Sequence, residues 1–194
     1  MQFWVSGSAL VLGCGLLTAQ DRTKAAPQPG GTHRYNELTL AGLFPGRDTI
    51  AKAVRRFPLK PMAGTESSMS WHDVCTNFDL FVDVEKARKI QSVRVAVNDT
   101  GSPAECELSN KSKRWWITGR SLMLQDACSR VTDIYGKPDS RSPSTRGGQQ
   151  LELLYYAFDW AGPDVPQVME VLCTPQKDGM PGRVVEITLA GPSL

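Results

Sequence analysis

Apolar residues fall at helical spacing in two places along the chain and alternate with polar residues in several stretches between them. Ile50, Ala53, Val54 and Phe57 share one face of a 3.6-residue period, and Pro58 and Pro61 end it, which predicts a helix with Asp48 as its N-cap. Strict alternation follows over 76–85, with Phe78, Leu80, Val82 and Val84 on one side and Asp79, Phe81 and Asp83 on the other. Residues 67–73 around Trp71 and residues 90–97, with Val93, Val95 and Val97 in register, predict two further strands.

The same order returns later. Leu124, Ala127, Cys128, Val131, Ile134 and Tyr135 predict a second amphipathic helix closed by Gly136 and Pro138, and 149–160, 167–174 and 183–190 read as strands. Laying one helix on the other pairs Asp126 with Asp48, Val131 with Ala53 and Tyr135 with Phe57. A divergent tandem repeat is the economical reading. The fold expected is α+β: two tandem helix-plus-antiparallel-sheet units over 38–100 and 117–194, joined by a polar linker at 101–116, with the helices on one face of the sheet.

The front of the chain has a different pattern. Residues 3–19 carry no charge and are rich in Val, Leu, Gly and Ala, so 1–19 reads as a secretory signal peptide cleaved near Ala19, and 20–37, with Pro27, Pro29, Gly30 and Gly31, as a flexible tether. Within the leader, Val11-Leu12-Gly13-Cys14 matches a bacterial lipobox, in which Cys14 would be lipidated. An exported chain suits the four remaining cysteines, Cys75, Cys106, Cys128 and Cys173. Their even number suggests two disulfides, and four cysteines allow three pairings.

Composition then narrows the chemistry. The 194 residues hold 22 Lys plus Arg against 20 Asp plus Glu, a net charge of only +2, which gives no basic footprint for nucleic acid. With 41% hydrophobic and 22% charged residues the chain is apolar enough to fold. Two His in the whole chain leave little for a metal site or acid–base catalysis. His72 and Cys75 form the one pair with a catalytic look, the outline of a thiol enzyme, but Cys75 is better used in a disulfide. No cofactor or metal is expected. Asn98-Asp99-Thr100 and Asn110-Lys111-Ser112 match the N-glycosylation pattern.

The second unit, in which Gly119-Arg120-Ser121 leads through the Asp126-containing helix to Tyr135-Gly136-Lys137-Pro138 and antiparallel strands, resembles the small lipoproteins of outer-membrane assembly. Two such units in one chain are similar in plan to the secreted β-lactamase-inhibitory proteins. The resemblance implies helix-plus-sheet repeats paired into one curved sheet, with a disulfide in each half. This sequence departs from symmetry, because Cys128 lies on the second helix where the first has Ile50. A bridge from Cys128 to Cys173 across helix and strand is then expected, leaving Cys75 with Cys106.

The strand at 149–160 points to function. Leu151, Leu153, Tyr155 and Ala157 occupy one face and Leu154, Tyr156, Phe158 and Trp160 the other. With helices covering one side only, Tyr156, Phe158 and Trp160, extended by Trp71 and Phe81 and by Trp115 and Trp116, are expected to form an open aromatic patch that binds another protein; the alternative is core packing, with the two sheets folded over each other and both faces buried. The expected function is an exported, periplasmic or secreted, non-enzymatic binding module. The alternative is an envelope lipoprotein with an assembly role, in contact with the membrane only if lipidated at Cys14.

Overall fold

The described residues form eight strands: β1 (Pro61–Gly64), β2 (Ser68–Asp73), β3 (Phe78–Val84), β4 (Ile90–Val97), β5 (Ser140–Arg146), β6 (Gln149–Asp159), β7 (Pro166–Cys173) and β8 (Val184–Ala190). The computed structural model describes residues 36–65, 67–85, 88–101, 116–159 and 166–191. Among these, the strands form one antiparallel sheet in the order β1-β2-β3-β4-β8-β7-β6-β5. Two short helices, α1 (Ile50–Arg56) and α2 (Cys128–Tyr135), complete the regular structure. The predicted leader, Cys14, Cys106, Trp115, Asn110 and Trp160 lie outside the described residues.

The expected α+β fold of two helix-plus-sheet units is corrected: among the described residues one eight-stranded antiparallel sheet dominates, with only two short helices on it, and β4 pairs with β8 at its centre. Val93 faces Leu189 and Val95 faces Ile187 across that seam, so both runs of strands enter one sheet. Separate sheets would have left both strands as unpaired apolar edges, which costs hydrogen bonds and invites aggregation. Among the described residues one helix followed by four strands occurs in each half. The sequence predicted three strands in each run and missed β1 and β5, the two edges.

One face of the sheet carries the core. Trp71, Leu80, Val95, Ile187, Val171 and Leu154 stand in register across six strands, and all are buried. Ile50 and Ala53 of α1 and Val131 and Tyr135 of α2 close over this face. Each helix brings an aromatic ring that gathers others. Phe57, just past α1, lies 5.8 Å from Trp71 and 6.2 Å from Trp116, and Tyr135 lies 5.9 Å from Tyr156 and 6.1 Å from Phe158.

The helix boundaries shift slightly from the sequence reading. Thr49, not Asp48, is the N-cap of α1. The Asp48 carboxylate instead accepts the Phe44 N–H at 2.8 Å and pairs with Lys52 at 2.7 Å. The second helix begins at Cys128, because Gln125 at φ +70° turns the preceding chain.

A buried carboxylate ties the segment entering the fold to its middle. Glu37 is 1% exposed. It accepts the N–H groups of Leu38 at 2.8 Å and of Thr39, Gly119 and Arg120 at 3.0 Å, together with the Tyr135 hydroxyl at 2.7 Å. Five donors satisfy a charge that would otherwise be too costly to bury. The site also requires glycine at 119, since a Cβ there would lie 2.5 Å from Glu37 Oε1. As expected, Cys128 and Cys173 are bonded, fixing α2 to β7.

Candidate functional site

Opposite the helices, the sheet presents its second set of side chains. Two rows cross it: Ser70, Phe81, Arg94, Thr188, Glu170 and Tyr155, and beside them His72, Asp79, Ala96, Glu186, Leu172 and Leu153. All eight strands lie in the sheet and both helices on its other side, so no described element covers this face. Phe81, Arg94, Tyr155, Leu153 and Leu172 are half-buried, as expected for neighbours on an open antiparallel sheet.

The face is rolled inward. Arg146, the last residue of β5, points to this side, opposite Gln149 in register. Its guanidinium donates to Asp99 Oδ2 at 3.1 Å and Oδ1 at 3.0 Å, Glu186 Oε2 at 3.2 Å, the Val97 carbonyl at 3.2 Å and the Val185 carbonyl at 3.3 Å. In the sheet order β5 stands four strand positions from β4, roughly 19 Å in a flat sheet. An arginine side chain cannot bridge that gap unless the sheet curls. The β5–β6 hairpin supplies the reach, because Gln149–Leu151 run past the last β6–β7 pair, Glu152 with Cys173. The hairpin end therefore bends over the sheet and makes the face concave.

Charges inside the concavity are paired with one another. The Arg94 guanidinium lies 4.0 Å over the Phe81 ring and 3.4 Å from Glu186, which also takes Arg146. Asp79 binds His72 Nδ1 at 2.7 Å and accepts the Asn98 amide at 2.9 Å. The Asn98 oxygen in turn accepts from the N–H and hydroxyl of Thr100, so the side chain of this glycosylation motif is already engaged. One residue of the helix side has a displaced pKa: burial first, then the Glu37 charge and hydrogen bond, hold the Tyr135 hydroxyl far above the usual tyrosine range.

The sequence-predicted sites are redistributed by this geometry. Trp71, Tyr156 and Phe158 are at most 1% exposed and belong to the core beneath the helices, as does Trp116, so the aromatic patch placed on them is corrected. Both faces of β6 are apolar, and alternation alone does not say which one meets the helices; the ring of Tyr135 decides it. Phe81 does stand on the open face, and the partners it gains there are Tyr155, Leu153 and Leu172 rather than Tyr156 and Phe158. Cys75 is disulfide-bonded, its partner outside the described residues, so it is not a free thiol beside His72. No group of three or more metal-ligating side chains occurs among the described residues.

No family model and no curated protein matches the chain. Among solved structures it is similar to a DUF4309 family protein of Bacillus subtilis, YjgB, with 14% identity, a TM-score of 0.41 and coverage of 80% of this chain and 87% of that one. It is also similar to a cysteine-rich secretory protein of Staphylococcus aureus, SAV1118, with 10% identity, a TM-score of 0.39 and coverage of 81% and 48%.

Proposed function

We propose that this chain is a protein-binding module of an extracytoplasmic compartment and that the concave sheet face is its contact surface. The observation carrying this reading is the set Phe81, Leu153, Tyr155 and Leu172, four large apolar side chains on a face that no described element covers. Aromatic residues and Arg are the side chains that interfaces favour, and Arg94 stacked on Phe81 supplies both in one place. The curl suits a convex protein surface. Export is supported by the disulfide between Cys128 and Cys173, a bond that persists in oxidising compartments, and by the uncharged apolar leader.

The test uses the chain without its leader as bait in the extracellular fraction, beside Phe81→Asp and Tyr155→Asp. A defined protein should be retained by the wild type and lost at least tenfold from each variant, with thermal melts establishing that both variants are folded. Equal retention by folded variants would remove the concave face from the proposal.

A further inference from the structure

One row of the concave face carries an aromatic ring toward each end, Phe81 on β3 and Tyr155 on β6, and directly opposite each ring stands a charged residue, Arg94 on β4 and Glu170 on β7. Side chains paired in this way across antiparallel strands have Cβ atoms about 5 Å apart. The first pair is complete within the chain. The Arg94 guanidinium lies 4.0 Å over the Phe81 ring and 3.4 Å from the Glu186 carboxylate, so ring, cation and anion are all present. The second pair has a ring and an anion but no cation.

Glu170 differs from the other carboxylates of the two rows. Asp79 holds His72 and the Asn98 amide, and Glu186 holds Arg94 and Arg146, whereas Glu170 has neither a hydrogen bond nor an ion pair among the described residues. It is half-buried between Thr188 on β8 and Tyr155 on β6, with Val168 and Leu172 two positions away along its own strand. A carboxylate partly withdrawn from water gains from a cationic partner. The arginines of this face are already committed, Arg94 to Phe81 and Glu186, and Arg146 to Asp99 and Glu186. Tyr155 is equally unengaged: it is half-buried, and among the described residues its ring makes no aromatic contact and its hydroxyl no hydrogen bond. A guanidinium serves both groups at once, since its plane stacks on an aromatic ring while its edge gives paired N–H donors to a carboxylate; the compact ammonium of lysine has no plane to stack.

We propose that Glu170 and Tyr155 receive an arginine side chain of the bound partner, its guanidinium stacked on the Tyr155 ring and donating to the Glu170 carboxylate, as Arg94 does for Phe81 and Glu186. This inference rests on the concave face being a protein-contact surface and names the side chain that the partner brings to it.

The full chain, isotope-labelled for amide spectra, is titrated with the peptide acetyl-Leu-Arg-Leu-amide, and with the same peptide carrying citrulline, which keeps the planar shape without the charge, or lysine in place of arginine. Saturable shifts are expected at the amides of 153–157, 168–172 and 186–190, with the citrulline peptide weaker by about tenfold, the equivalent of one charge-assisted hydrogen bond, and the lysine peptide also weaker than the arginine one. Glu170→Gln should lose the preference for arginine over citrulline, and Tyr155→Leu the preference for arginine over lysine, with thermal melts establishing that both variants are folded. Equal binding of the arginine and citrulline peptides to the wild type, an arginine preference kept by Glu170→Gln, or shifts confined to other parts of the sheet would each overturn the inference. The peptides need no partner protein, so the two readings fail separately. A protein captured through Phe81 beside peptides bound alike would remove the arginine and keep the contact surface, and arginine-specific binding with no protein captured would do the reverse.

Discussion

Tyr135 shows how one buried hydroxyl couples the fold to proton concentration. Its pKa is raised, so the folded chain keeps the proton at a pH where the unfolded chain releases it. The stability this group contributes is therefore complete below the unfolded value of about 10 and is lost as pH rises beyond it. Urea midpoints measured from about pH 9 to 11 should fall more steeply for the wild type than for Tyr135→Phe, whose curve lacks this titration; parallel curves would contradict the assignment. Gln167 makes the opposite case. It is fully buried, and both its amide nitrogen and oxygen are without a hydrogen-bond partner among the described residues. Replacing an unsatisfied buried amide by an apolar group of similar size is neutral to stabilising, so Gln167→Leu should raise the melting temperature by about 2–4 °C, equivalent to about 1 kcal/mol in a chain of this length. A lower melting temperature would show that the amide is satisfied in solution. Neither residue's role is legible in the sequence: Tyr135 falls on the apolar face of the predicted helix, whereas Glu37, its partner 98 positions away, falls in the predicted tether. A partner so distant in sequence leaves no local pattern.

The elements that were found early are those whose two sides differ. β3 and β4 alternate cleanly because one side meets the core and the other solvent, and the sequence shows it. β5, Ser-Arg-Ser-Pro-Ser-Thr-Arg, has no apolar alternation because it is an exposed edge on which only Ser144 and Arg146 are partly buried. Its Pro143, like Pro61 in β1, sits on an edge strand, where a missing N–H is tolerated and further strand addition is discouraged. The hairpin that β5 makes with β6 depends on Arg146 at its end. Removing this side chain in Arg146→Ala should accelerate amide exchange across 144–151 by about tenfold, the equivalent of one charge-assisted hydrogen bond, and leave β2 and β3 unchanged; unaltered exchange in the hairpin would mean that the curl is set by the strands alone. The link between α2 and β7 is covalent, with Cys128 and Cys173 separated by 45 residues. Chain-entropy arithmetic for a loop of that size gives about 4 kcal/mol, so Cys128→Ala with Cys173→Ala should lose about that much by urea denaturation. A loss below about 1 kcal/mol would show that the unfolded chain is already compact there.

For the whole molecule, the sequence showed a helix and strands in each half, and a single sheet was implied by the resemblance alone, not by any local pattern of residues. Val93, Val95, Ile187 and Leu189 read as interior positions of two strands, and nothing local says that each faces the other. The same ambiguity moved the expected contact surface to the wrong side of β6, since both of its faces are apolar. The assembled sheet has opposite duties on its two sides: one is filled by helices, and the other is left to Phe81, Tyr155 and their neighbours. The breadth of that second side is tied to Arg146, which stands outside the row of Phe81, Arg94 and Tyr155 and meets it only through Glu186, the carboxylate it shares with Arg94. Aperture and contact chemistry are thus encoded at different positions, and a single exchange at residue 146 could refit the cleft to a wider or narrower partner while every contacting side chain stays as it is.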